Sequence, residues 1–155
     1  MDVVEEWRSV VEPGYEGLYE VSSLGRVRSM PREIKATNRV LRYPARLLKQ
    51  NLDSRCYPQV VLCRETRRKT KSVHRLMAEA FLGPAPEGHY VLHKNGIPHD
   101  CRLVNLRYGT QSENVIEAIE AGTHNRSPKY QPIDWKETRE QARVALNKRL
   151  SELED

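Results

Sequence analysis

One stretch of this sequence leaves little freedom in how it folds. Residues 91–114 read VLHKNGIPHDCRLVNLRYGTQSEN. A short apolar run, Tyr90-Val91-Leu92, ends on His93 and turns at once through Lys94-Asn95-Gly96. Asn-Gly is a strong turn signal, because both residues tolerate the positive φ that a tight turn demands. A polar loop follows, then a strand-like run over 103–108. Thr110 with Glu113 three residues on is the capping-box pattern that opens a helix. The order is strand, loop, strand, helix. His93 ends the first strand and Asn114 lies in the first turn of the helix, where the two can converge across a small ββα unit.

Charge narrows the partners. The 155 residues carry a net +5, but residues 26–75 hold fifteen Lys/Arg against Glu33, Asp53 and Glu65, a net of +12, while the remainder is −7. Basic charge gathered into one third of a chain points to a polyanion, and to nucleic acid first. At 38% hydrophobic and 30% charged residues the chain has no apolar run near the length of a membrane span. The opening MDVVEEW carries acids and lacks the apolar core of a signal peptide. Cys56, Cys63 and Cys101 form no C-x-x-C pair, which favours reduced thiols in the cytoplasm over a zinc knuckle.

Around the central stretch, short elements follow one another. Residues 19–21 and 26–29 alternate apolar and polar about a Ser22-Ser23-Leu24-Gly25 turn, placing Arg26 and Arg28 on one face and Val27 on the other. Residues 31–43 are basic with weak periodicity and read as a loop or extended arm of the kind that tracks a groove. Residues 45–71 read as strands, ending in a hairpin whose tip bears Arg67, Arg68, Lys69 and Lys71, a ribbon suited to a DNA groove. A helix is expected over 72–81, with His74 and Arg75 near its start where a phosphate could bind; metal ligation by His74 is the lesser alternative. The helix holding Asn114 should run to about 121, with Ile116 and Ile119 facing inward. After a polar linker, Asp134 and Glu137 signal a last helix, able to pack on the body, pair two copies as a homodimer, or lie on DNA.

The pattern H-x-N-G-(x)8-N-L-x-x-G-T-x-x-E-N, carried by His93, Asn105 and Asn114, resembles the signature of the HNH nucleases, and of their homing and phage branch in particular. The N-terminal G-Y-E-G-L-Y-E-V-S-S-L-G-R-V-R-S resembles the small nuclease-associated module that precedes many such enzymes, and V-H-R-L-x-A-E-A-F-x-G-P resembles the segment before their motif. The resemblance implies an α+β chain: an N-terminal β module and basic arm (1–44), an HNH nuclease core with a basic hairpin (45–122), and a linker with a C-terminal helix (123–155). It implies a metal-dependent endonuclease on double-stranded DNA, using Mg²⁺ or Mn²⁺, with His93 as general base, Asn105 bracing the loop and Asn114 as a metal ligand. Arg26 and Arg28 would touch DNA through the module. Many metal-binding members carry Asp or Asn before the histidine; here that residue is Leu92, which ligates nothing. Three arrangements stay open: Asn114 holds the ion with water and phosphate oxygens, Asp100 supplies the missing carboxylate, or the fold binds DNA without cleaving it.

Overall fold

The computed structural model describes residues 4–129 and 131–154. Strands β1 (Trp7–Ser9), β2 (Tyr19–Ser22) and β3 (Val27–Ser29) form an antiparallel sheet, with Trp7 opposite Ser22 and Tyr19 opposite Ser29. Alternation sends Tyr19, Val21 and Val27 into the core and leaves Glu20 and Arg28 at the surface. The β2–β3 turn closes on Ser22, whose Oγ accepts from the Arg26 amide at 3.0 Å. Gly25 completes it at φ 88°, and a Cβ there would lie 3.2 Å from the Cys101 carbonyl oxygen. That close approach, with Leu103 N donating to Ser23 O at 2.9 Å, fastens the module to the loop of the central stretch.

Where the sequence reads as a loop or arm, the chain forms a hairpin of β4 (Arg32–Ala36) and β5 (Arg39–Tyr43). Nearly all of it is exposed. A ribbon with neither face buried has no reason to alternate apolar and polar residues, so its period is absent from the sequence. Strand β6 (Arg46–Leu47) then joins the first sheet beside β3.

A second sheet contains β7 (Asn51–Leu52), β8 (Pro58–Arg64) and β9 (Arg67–Ser72). Glu65, at φ 53°, makes the tight turn between the last two. Tyr19 bolts this sheet to the first: its hydroxyl accepts from Cys63 N at 2.7 Å and donates to Cys63 O at 2.8 Å. Helix α1 (Val73–Leu82) leaves β9 directly and stops at Gly83, φ 83°, followed by Pro84. Its Val73, Leu76 and Met77 complete one core with Val10, Tyr19, Val21, Val60, Leu62, Cys101 and Leu106. The N-terminal module and the central stretch therefore share a single interior.

The expected strand over 103–108 starts later. Leu103–Asn105 is a 3₁₀ turn, and β11 (Leu106–Thr110) pairs with β10 (His89–His93), His93 lying opposite Leu106. Helix α2 (Gln111–Glu120) follows with its capping box formed. It buries none of its residues, and Ile116, expected to face inward, is 54% exposed. The helix lies along a two-stranded ribbon, with no further layer on its outer side among the described residues. Helix α3 (Trp135–Ser151) is capped by Asp134, which accepts from Lys136 N and Glu137 N. Of the roles open to it, the structure shows packing on the body, through Ala142 and Leu146. No helix among the described residues is long and apolar enough to cross a membrane.

Candidate active site

The β10–β11 ribbon begins the site. His93 is the last residue of β10, and Gly96 N donates back to its carbonyl at 2.9 Å to close the Asn-Gly turn, with Gly96 at φ 69°. The loop that follows is organised by Asn105. Its Oδ1 accepts from Asn95 N at 3.0 Å, and its Nδ2 donates to Asn95 Oδ1 and Asp100 O, both at 2.9 Å. A buried side chain that fills three of its hydrogen-bonding positions with one loop fixes that loop's shape.

Asp100 ends up elsewhere than the metal-ligand expectation puts it. It is buried, and its two oxygens are taken by Arg102 (Nε at 2.8 Å, Nη2 at 2.7 Å), Asn95 (2.9 Å) and Arg149 (3.1 Å). Hydrogen bonds from Arg102 above all hold its carboxyl down at about 2. A carboxylate so engaged would leave two arginines unpaired if it swung to a cation. Arg149 reaches this point from α3 and also donates to His99 O at 2.7 Å, so the last helix clamps the loop from behind. No sequence signal marks Arg149 for that task.

His93 points into the body. Opposed residues of an antiparallel pair share a face, so His93 lies on the side of Leu106, which is buried in the core. There its ring meets His74, with centroids 5.2 Å apart, and Tyr57 at 5.6 Å. Burial pushes His93 down to about 4 and His74 to about 3, so both imidazoles are neutral at physiological pH. His93 Nε2 is sealed from solvent without a hydrogen-bond partner among the described residues. The residue is only half-buried, and its other nitrogen is not closed off in that way.

Leu92 lies on the opposite face, toward α2. It is 5% exposed, and its Cδ1 would be 2.5 Å from a Cβ placed on Gly109. Arg107 shares that face and pairs with Glu113 and Glu117 of α2. Asn114 is exposed in the first turn of the same helix. The structure thus gathers His93 with His74 and the Asn105-braced loop, and leaves Asn114 exposed near the start of α2.

The basic residues singled out in the sequence divide in two. Arg26 donates to Glu5 and Arg28 to Glu20, and both lie over the Trp7 ring, at 5.4 and 4.0 Å. Lys69 and Lys71 converge on buried Glu12, on the inner face of the β8–β9 ribbon. His74 is buried inside α1, away from any phosphate at its start. The four cations among these five each have a carboxylate partner within the chain, and His74 is buried. Arg67, Arg68 and Arg75 are exposed. Sequence reading missed the β4–β5 ribbon as an element, with its exposed Lys35, Arg39 and Arg42.

A β-ribbon carrying a terminal histidine, an asparagine-braced loop and a capped helix with an asparagine in its first turn defines a ββα nuclease-type domain. Residues 71–116 match the family model described as HNH endonuclease, and residues 5–63 match the NUMOD4 motif. The chain is 35% identical over 122 residues to DNA endonuclease I-HmuI of Bacillus phage SP01, across 79% of this chain and 62% of that enzyme. It therefore spans somewhat less than two thirds of that relative's length. A solved structure of the HNH homing endonuclease I-HmuI, concerned with that enzyme's DNA binding and cleavage, aligns with a TM-score of 0.61 at 31% identity, over 90% of this chain and 67% of that one. The chain belongs to the HNH endonuclease family.

Proposed function

We propose that this protein is a divalent-metal-dependent endonuclease that hydrolyses phosphodiester bonds in duplex DNA, in the manner of a homing enzyme. The observation that carries the reading is His93. It is held neutral at the end of β10 by burial, at a loop whose geometry Asn105 fixes. A neutral imidazole accepts a proton from water near pH 7. The water oxygen forms the new bond to phosphorus, the bond from phosphorus to the sugar oxygen breaks, and that oxygen leaves with a proton from solvent. With Nε2 facing the interior, the ring takes the proton at Nδ1. His74 and Tyr57 fix the ring plane from behind.

The amide oxygen of Asn114, exposed in the first turn of α2, is a donor that suits a hard cation such as Mg²⁺ or Mn²⁺, while Glu113 and Glu117 are held by Arg107. Asn114 is the residue we assign to hold it, with water and phosphate oxygens filling the remaining positions. When bound, such an ion stabilises charge on the phosphate and the leaving oxygen. Asp100 keeps its arginines and Leu92 contributes no ligand.

DNA would lie against the exposed arginines. Arg67, Arg68 and Arg75, with Lys35 and Arg39 of the β4–β5 ribbon, offer exposed cations, and Arg42 beside them pairs only with the exposed Glu33. Two-stranded ribbons of this width enter a major groove. A homodimer through α3 is not part of the proposal, because Ala142 and Leu146 are spent on the chain's own body. The cytoplasm suits three free cysteines.

Leu92 favours one alternative, a DNA-binding protein of this fold without catalysis. Supercoiled plasmid incubated with protein and Mg²⁺ or Mn²⁺, against the same mixture with EDTA, separates the two. Ion-dependent nicking supports the nuclease. Retarded but intact plasmid under every condition supports the alternative.

A further inference from the structure

His74, His93 and Cys101 meet beneath the ribbon, where α1 packs. One ligand-capable atom from each lies within 4.8 Å of the other two. His74 is 7% exposed and Cys101 fully buried. His74 Nδ1 and His93 Nε2 are both sealed from solvent, and neither finds a partner among the described residues. Buried polar atoms are nearly always paired. Of the five buried polar atoms without a partner among the described residues, these two imidazole nitrogens alone sit together beside a thiol, and they ask for a common partner.

We propose that His74, His93 and Cys101 form a binding site for a borderline-soft divalent cation of the Zn²⁺ type, and that filling it switches the nuclease off. The site is distinct from the position assigned above to Asn114, which it does not include. Two imidazoles and a thiolate are a ligand set that Zn²⁺ takes readily and Mg²⁺ declines. Both histidines are already neutral, so binding displaces no proton from them. Burial pushes the Cys101 thiol up to about 12, and the charge of Arg149 offsets that only in part; a cation bound to the sulfur would favour the thiolate directly. The sulfur–metal bond forms as the thiol proton leaves to solvent, and no electron is transferred.

Bond lengths of ~2.0 Å to nitrogen and ~2.3 Å to sulfur set tetrahedral ligand atoms about 3.3–3.5 Å apart, so the cluster must close by roughly 1 Å. Three protein ligands leave a fourth position for water. The switch, unlike the site, rests on His93 being the base. A cation on Nε2 leaves the ring proton on Nδ1, and the atom that would accept a proton from water no longer can.

Titrating Co²⁺ into the purified full chain reads the site directly, through the absorption of a cobalt–thiolate bond. Wild type is expected to develop the band at one equivalent and to lose it when Zn²⁺ is added. Cys101→Ser should lack the band, bind Zn²⁺ at least about tenfold more weakly, and keep its Mg²⁺-supported cleavage. Low Zn²⁺ should inhibit wild-type cleavage in excess Mg²⁺ and spare Cys101→Ser. If that variant fails to fold, His74→Asn replaces it in the Co²⁺ and Zn²⁺ titrations. A folded wild type that gives no band overturns the site. A band without inhibition, or equal inhibition of Cys101→Ser, overturns the switch. The cobalt readout stands even if the protein cleaves no DNA, so failure of the nuclease reading is seen separately.

Discussion

Acid should destabilise this protein well above the pH at which its carboxylates titrate. An unfolded histidine titrates near 6.5, whereas burial holds folded His74 at about 3 and His93 at about 4. A folded pKa below the unfolded one means that the unfolded chain binds protons first as the pH falls. Stability is therefore complete above about pH 6.5 and declines from there toward the folded values. Between pH 7 and about pH 5 each histidine loses about 2 kcal/mol of stability, from some 1.4 kcal/mol per pH unit over the part of the range below 6.5. Both folded rings stay neutral over this range, so the two losses add to about 4 kcal/mol, which is roughly 10 °C in melting temperature for a chain of this size. Asp100, at about 2, keeps its ion pairs throughout this window. Urea denaturation followed by tryptophan fluorescence at the two pH values measures the loss. His74→Gln removes one titrating group and should cut the loss by about half. Equal stability at both pH values, or an undiminished loss in His74→Gln, would refute the burial of these rings as the cause.

The remaining expectations concern single contacts. Asn105→Ala removes three hydrogen bonds from a buried loop and should lower unfolding free energy by about 2–4 kcal/mol, measured by denaturant titration; a loss within error would show that the loop holds itself. Lys71→Ala should cost stability, because buried Glu12 loses one of its two lysines, and should leave the salt dependence of DNA binding unchanged, whereas Arg68→Ala should do the reverse and lower the slope of log affinity against log salt by about 1. Leu92→Asp should tighten Mn²⁺ binding by adding a carboxylate next to His93 and reduce stability by burying a charge near Glu113; calorimetric titration showing unchanged affinity would place the ion elsewhere.

What could be read in the sequence was local. The Asn-Gly turn after His93 and the Thr110–Glu113 box are signals confined to a few residues, and both elements lie where those signals put them. The alternation of 19–29 works for the same reason, because one face of that hairpin is buried. The β4–β5 ribbon has no buried face and so left no pattern. The partners of Arg26, Arg28, Lys69 and Lys71 were also invisible, since a charge list says nothing about which cation finds a carboxylate. His74 and Cys101 stand 19 and 8 residues from His93, at spacings that match no metal-ligand pattern. Only the packing of α1 under the ribbon brings them together. Arg149 reaches Asp100 from 49 residues away, which no short-range rule anticipates.

The account turns on His93 as the base, and single-turnover cleavage of a labelled duplex tests it most directly. Wild type and His93→Ala are compared at saturating protein with Mg²⁺ or Mn²⁺, and binding of the same duplex is measured in parallel. Removing a group that acts only in the chemical step should leave affinity nearly unchanged and lower the cleavage rate by about 10²–10⁴-fold. A His93→Ala protein that binds and still cuts at the wild-type rate would contradict it.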